Sequence, residues 1–305
     1  MATYLVTQAT GQQSLATIAH LLAAGAKIHA VVRDPEKAPP ALKKQGVTIF
    51  KGESTNLDEI YQAAQGCKAA YLNTFPWPGL ETQQAKTIVT ACEKAGVESI
   101  VGCTSFAAGH RDVWDDVATA EVGLRQYYLS KAEVEEAVRG GRFKAYTILR
   151  PSVLHTDFML PGVYGNFPGL PSGELGHACD DGVRLPYTDT DDVGRYAAAA
   201  LQDPDRFGGQ EIDLPNEYVT MEEVRDALVR VSGREVRVRQ LTPAEVEVTK
   251  QTAPGMLFQI WANAKDFTAL VDAAKEAQEK FGIPFTSLEA GLQRDKARLL
   301  ESLPA

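Results

Sequence analysis

Through its first 150 residues the chain alternates between short apolar runs and longer segments whose apolar residues recur at helical spacing. Tyr4-Leu5-Val6, Lys27–Val32, Val47–Phe50, Ala69–Leu72, Ser99–Cys103 and Ala145–Leu149 are the apolar runs. Between them Leu15, Ile18, Ala19, Leu22 and Ala23 lie on one helical face, and Gly25 ends that helix. Helices through Ile60 and Ala64, from about Glu81 to Ala95, and through Tyr128, Val134 and Val138 follow, each again stopped by glycine. Strands that are apolar on both faces belong in a parallel sheet covered on both sides. Crossover connections of this length predict a doubly wound, Rossmann-like α/β fold.

The pattern changes at Pro151. Residues 151–188 are rich in Gly and Pro and show no clear period. A segment of this kind in a compact enzyme is expected to form a lid or pocket wall. Helices are predicted over 190–202 and 220–232, a strand over Glu211–Leu214, and a mostly helical C-terminus carrying Met256, Phe258 and Trp261. The spacing of those three also suits plain core residues. The expected division is a dinucleotide-binding domain, 1–152, and a smaller, mostly helical substrate or lid region, 153–305, partly interleaved with it.

Charge narrows the function. Lys and Arg number 31 against 40 Asp and Glu, a net charge of −9. Such a surface repels phosphate backbones and anionic lipid, so neither nucleic acid nor a membrane is the expected partner. No apolar stretch approaches the roughly 20 residues of a membrane helix. The N-terminus lacks a basic region and cleavage site. The four cysteines are scattered without a CxxC, and the five histidines form no HxH or HxxxH pair. Free buried thiols, no metal and a cytoplasmic location are the expectations.

The turn after the first strand reads Thr7-Gln8-Ala9-Thr10-Gly11-Gln12-Gln13-Ser14. A doubly wound fold binds phosphate here, where backbone N–H groups and the helix dipole favour an anion. Of a GxxGxxG pattern only the middle glycine remains, with Gln8 and Ser14 in the outer positions. If residue 8 needs positive φ, its side chain strains the turn. Arg33 follows the second strand, where an arginine can fork onto a 2′-phosphate. Asp34 is the alternative, as a ribose ligand or a cap.

After the fifth strand, Tyr127 and Lys131 stand at i and i+4 on one helical face. A neighbouring ammonium favours the phenolate and is expected to lower the tyrosine pKa, suiting it to acid–base work. Thr104 or Ser105 can orient a substrate carbonyl. Tyr128 is the alternative phenol.

Taken together, these segments resemble the NmrA-like branch of the atypical short-chain dehydrogenases/reductases, over about residues 3–235. The likeness rests on the turn at 6–13, Val31-Val32-Arg33-Asp34, Tyr71-Leu72-Asn73-Thr74 and Tyr128–Glu135. It continues in Tyr146–Pro151 and Pro186–Gly194. The resemblance implies an NADP(H)-binding domain with Thr10, Gly11, Gln12 and Gln13 at the pyrophosphate and Arg33 at the 2′-phosphate. Asn73, Thr74 and Phe75 would lie towards adenosine and nicotinamide, and Lys131 at the ribose. The implied activity is reduction of a small carbonyl, quinone or enone, with Tyr127, Lys131 and Ser105 catalytic. Such families also contain silent dinucleotide sensors that bind a protein partner. An isomerase or cyclase on the same scaffold is a third possibility.

Overall fold

The computed structural model describes residues 1–305. In chain order the strands are β1 (Thr3–Val6), β2 (Lys27–Val32), β3 (Val47–Lys51), β4 (Ala69–Leu72), β5 (Ser99–Cys103) and β6 (Ala145–Arg150). There follow β7 (Val153–Leu154), β8 (Glu174–His177), β9 (Leu185–Thr188), β10 (Gln210–Asp213), β11 (Glu217–Val219) and β12 (Arg237–Gln240). Early helices are α1 (Gln12–Ala23), α2 (Leu57–Ala64) and α3 (Leu80–Ala95).

Two compact units form. The first comprises 1–110, 126–150 and 190–213; the second 111–125, 151–189 and 214–305. The chain passes between the two units several times. The physical reason is β10, which leaves the C-terminal half and pairs in parallel with β6, Gln210 opposite Thr147.

The first unit is built on a seven-stranded sheet of order β10-β6-β5-β4-β1-β2-β3. All its pairings are parallel. Burial follows sheet position: β4 and β5 are wholly buried, while edge strand β3 is half-exposed. The order reverses at β1, which lies between β2 and β4. That switch opens a crevice at the carboxyl ends of β1 and β4, where doubly wound sheets hold their ligands. Close packing brings the 190–202 helix onto α1 through Gly194, whose absent Cβ would sit 2.5 Å from the Ala16 carbonyl carbon.

The 125–140 helix crosses β5 at Gly102, where a Cβ would meet Val138 at 2.9 Å. Its Glu135 is fully buried. The carboxylate accepts from Thr104 Oγ1 at 2.8 Å, from Arg150 Nε and Nη2 at 2.8 Å each, and from Arg139 at 2.6 Å. Arg150 also reaches Glu211 and Asp213. Burial opposes the charge on Arg150, but Glu135, Asp213 and Glu211 outweigh it and hold the guanidinium firmly protonated.

In the second unit β9 lies between β7 and β11, and β8 pairs with β12. The segment expected to form a lid or pocket wall has a packed interior of its own: Phe158 stacks on Phe167, with ring centres 4.6 Å apart, and on Tyr187. Met256 and Trp261 are fully buried core residues, and the Trp261 indole donates to Thr119 Oγ1 at 2.7 Å. Asp189 is buried between His155 (2.9 Å) and the two-pronged Arg294 (3.0 Å). Burial alone would raise its carboxyl pKa; the bonds from His155 and Arg294 hold it well below the usual range.

Removing one partner of a buried, hydrogen-bonded charge is costly because the other is left unpaired. Glu135→Ala is expected to lower the free energy of unfolding by about 3–5 kcal/mol in urea titrations. A loss below about 1 kcal/mol would mean that Glu211 and Asp213 satisfy Arg150 unaided.

Candidate functional site

Four strand ends meet the crevice. At the end of β1, Gln8 has φ 48°, a left-handed conformation. The position therefore does require what a glycine would supply. The Gln8 carbonyl accepts the Gly11 N–H at 2.9 Å, closing the turn, and its side chain is directed to Ser54 Oγ at 3.4 Å. Gly11 caps α1 in extended conformation, without a side-chain acceptor for the first helical amides. Those amides and the helix dipole leave a site suited to an anion. Thr10 is exposed, and Gly11 and Gln12 are half-buried at the same end. Gln13 is turned inward, its Oε1 accepting from Cys103 Sγ at 3.0 Å.

Ser14 is fully buried, and its hydroxyl donates to the Thr7 carbonyl at 3.1 Å. Asn73 Nδ2 donates back to Ser14 Oγ at 3.3 Å. Thr7 and Asn73 are bonded to each other as well: the Thr7 hydroxyl donates to the Asn73 carbonyl at 2.9 Å and accepts the Asn73 N–H at 3.0 Å. Serine here ties the start of α1 to the ends of β1 and β4, which glycine cannot do.

Beyond β2, Arg33 is exposed and makes no ion pair. Asp34 is otherwise engaged. It accepts the Glu36 N–H at 3.2 Å and pairs with Lys37, whose bond holds its carboxyl below the usual range. The cap, one of the alternatives for Asp34, is the role it has. After β4, Thr74 is buried, and the Phe75 N–H donates to Gln84 Oε1 at 2.9 Å while its ring is 48% exposed.

At the end of β5, Ser105 hydrogen-bonds the Tyr127 phenol. Lys131 Nζ lies 5.3 Å from the centre of the Tyr127 ring. Thr104 is committed to Glu135, so Ser105 is the hydroxyl at this group. Tyr128 is fully buried, edge-on to Tyr127 at 5.3 Å. Burial pushes its phenol pKa well above the ordinary value. The expected acidification of Tyr127 does not occur. Burial raises the phenol pKa, and the lowering by Lys131 and Ser105 is not enough to reverse it. Tyr127 is therefore a protonated phenol at neutral pH, suited to donating a proton.

The residue that the sequence reading missed is Glu81, which forms a buried 2.7 Å ion pair with Lys131 Nζ. It was legible in principle: Glu81, Ala85, Ile88 and Cys92 follow one helical stripe, so a charge stands on the buried face of α3.

The family model described as NmrA-like family matches residues 2–279. Quinone oxidoreductase 2 of Escherichia coli K12 is 25% identical over 93% of this chain and 95% of its own. The Escherichia coli NADPH-dependent quinone oxidoreductase complexed with NADPH aligns with TM-score 0.71 and 21% identity, covering 96% of this chain and 99% of that one. The NAD complex of Nmra, a negative transcriptional regulator, aligns with TM-score 0.75 and 20% identity, covering 99% and 98%.

The two outer turn positions should respond oppositely to glycine. Gln8→Gly removes a left-handed side chain costing about 1–2 kcal/mol and restores chain entropy worth about 0.4–1 kcal/mol to the unfolded state. A net gain of about 0.5–1 kcal/mol in unfolding free energy is expected. Ser14→Gly loses buried hydrogen bonds and helix propensity, and should cost about 2 kcal/mol. Urea unfolding of both variants checks the pair; shifts of the same sign would refute the account of the turn.

Proposed function

The chain belongs to the NmrA-like family, and on that premise we propose that it binds NADP(H) and reduces a small carbonyl, quinone or enone. One observation carries the reading: a protonated phenol, a hydroxyl and a buried ammonium (Tyr127, Ser105, Lys131) stand together at the end of β5. The uncapped start of α1 and the unpaired Arg33 fit a dinucleotide bearing a 2′-phosphate. The bound cofactor supplies the hydride.

The chain's own residues handle the oxygen of the substrate. Ser105 orients it and Tyr127 donates the proton that completes the new hydroxyl. Lys131 stabilises the negative charge that develops on that oxygen, as a fixed cation in a dry site. Tyr127 regains its proton from solvent. Thr10, Gly11, Gln12 and Gln13 are proposed at the pyrophosphate, with Gln13 contributing its backbone because its side chain is held by Cys103. Asn73, Thr74 and Phe75 are proposed to form the wall beside the cofactor. A second reading, a silent redox sensor, is favoured by the strained Gln8, which opposes tight binding.

NADPH should bind more tightly than NADH, and Arg33→Ala should erase most of a preference on the order of 10- to 100-fold, the worth of a charge-assisted contact. Calorimetric titration of both cofactors checks this, and equal affinities in the unaltered protein would defeat it.

Tyr127→Phe should lower kcat on quinones or aldehydes by about 10²- to 10⁴-fold while the NADPH Kd stays within a few-fold. Steady-state rates give the answer: undiminished turnover removes Tyr127 as proton donor, and binding without turnover in the unaltered protein selects the sensor.

A further inference from the structure

Glu81 is fully buried in the first turn of α3. Its Oε2 receives Lys131 Nζ at 2.7 Å and Thr74 Oγ1 at 3.3 Å. Its Oε1 is buried without a partner. The carboxylate's charge is therefore answered by a single cation, held against one oxygen.

Packing does not account for this pair. Thr82 on α3 donates to Glu133 at 2.8 Å and contacts the Ser130 hydroxyl at 3.3 Å, and the Gly79 N–H reaches Ser130 at 3.4 Å. These bonds already stitch α3 to the 125–140 helix. A buried ion pair is also a poor source of stability, because apolar residues of similar volume would do as well. What the pair does achieve is local. It links Thr74, in the wall after β4, to the lysine beside Tyr127.

The groups facing the ammonium are Tyr127 on its own helix, Glu81 from α3 and Cys103 from β5. Burial alone would lower the pKa of Lys131. Tyr127 first, then Glu81 with its hydrogen bond, and last Cys103 outweigh burial and hold the amine above its ordinary pKa; of the three, only Glu81 forms an ion pair with it.

We propose that Glu81 is a positioning residue: its carboxylate keeps Lys131 charged and fixed beside the Tyr127 phenol, so that Lys131 serves as a permanent cation and never as a base. This deepens the reductase reading and rests on it for its catalytic meaning. A lysine held in this way cannot act as a nucleophilic amine. The site then suits substrates whose oxygen gains negative charge, and excludes imine formation at Lys131.

The test is NMR titration of the lysine side chains in lysine-labelled protein without cofactor, followed by the pH profile of kcat on a quinone. In the unaltered protein Lys131 should stay protonated above the ordinary lysine midpoint. Glu81→Gln should lower that midpoint by about one to three pH units, and Glu81→Asp by less. The basic limb of kcat should move down by the same interval, a shift that a purely structural role would not produce. An unchanged midpoint in Glu81→Gln overturns the proposal. Should that variant fail to fold, a midpoint below the ordinary lysine value in the unaltered protein overturns it instead. Absence of turnover with every substrate defeats the reductase reading alone, because the titration still decides the role of Glu81.

Discussion

The buried carboxylate of Glu135 is the anchor of the first unit. It lies on the same helical stripe as Tyr127 and Lys131, at steps of four residues. By clamping Arg150 and Thr104 it fixes that stripe against the ends of β5 and β6. Charges are expensive to bury, and this cluster is tolerable because Arg150 Nε and Nη2 are hydrogen-bonded to carboxylates and Nη1 faces Asp213 at 3.7 Å. The rigidity so gained is inherited by the two residues one and two turns upstream. Tyr127 and Lys131 can then be held by few contacts of their own.

The two cations of the proposed chemistry live under opposite regimes. Arg33 stands in water, exposed and without an ion pair, where its attraction for a phosphate is screened by salt. Lys131 is sealed in, with a single strong partner and little screening. In the proposed chemistry one cation would select a ligand at the rim and the other would shape reactivity in the interior. Their difference comes from burial rather than from the identity of the charged group.

Much of this was legible in the sequence, because much of it is local. Strands with apolar residues facing both sides, as in β4 and β5, have few other destinations than the middle of a parallel sheet. The left-handed demand on Gln8 also followed from a turn pattern. Long-range partners were not legible. Nothing near Ser14 in the sequence announces Asn73, fifty-nine residues away. The acidity of Tyr127 was misjudged for the same reason: the i+4 lysine is visible in the sequence, whereas the desolvation around the phenol is not. The allegiance of 190–213 was equally hidden, since a strand's sheet depends on the neighbour it finds.

That last strand carries a consequence for how the molecule comes into being. The first 150 residues supply six of the seven strands, and without β10 one side of β6 has no strand to pair with. At that stage Arg150 has Glu135 but lacks Glu211 and Asp213, which arrive some sixty residues later. The nascent sheet must therefore wait, exposed, while the chain traverses a part of the second unit. Only the return of β10 closes the edge and supplies the missing carboxylates together. The two units are thus bound by an order of assembly, in which neither half of the chain is a finished domain before the other has begun.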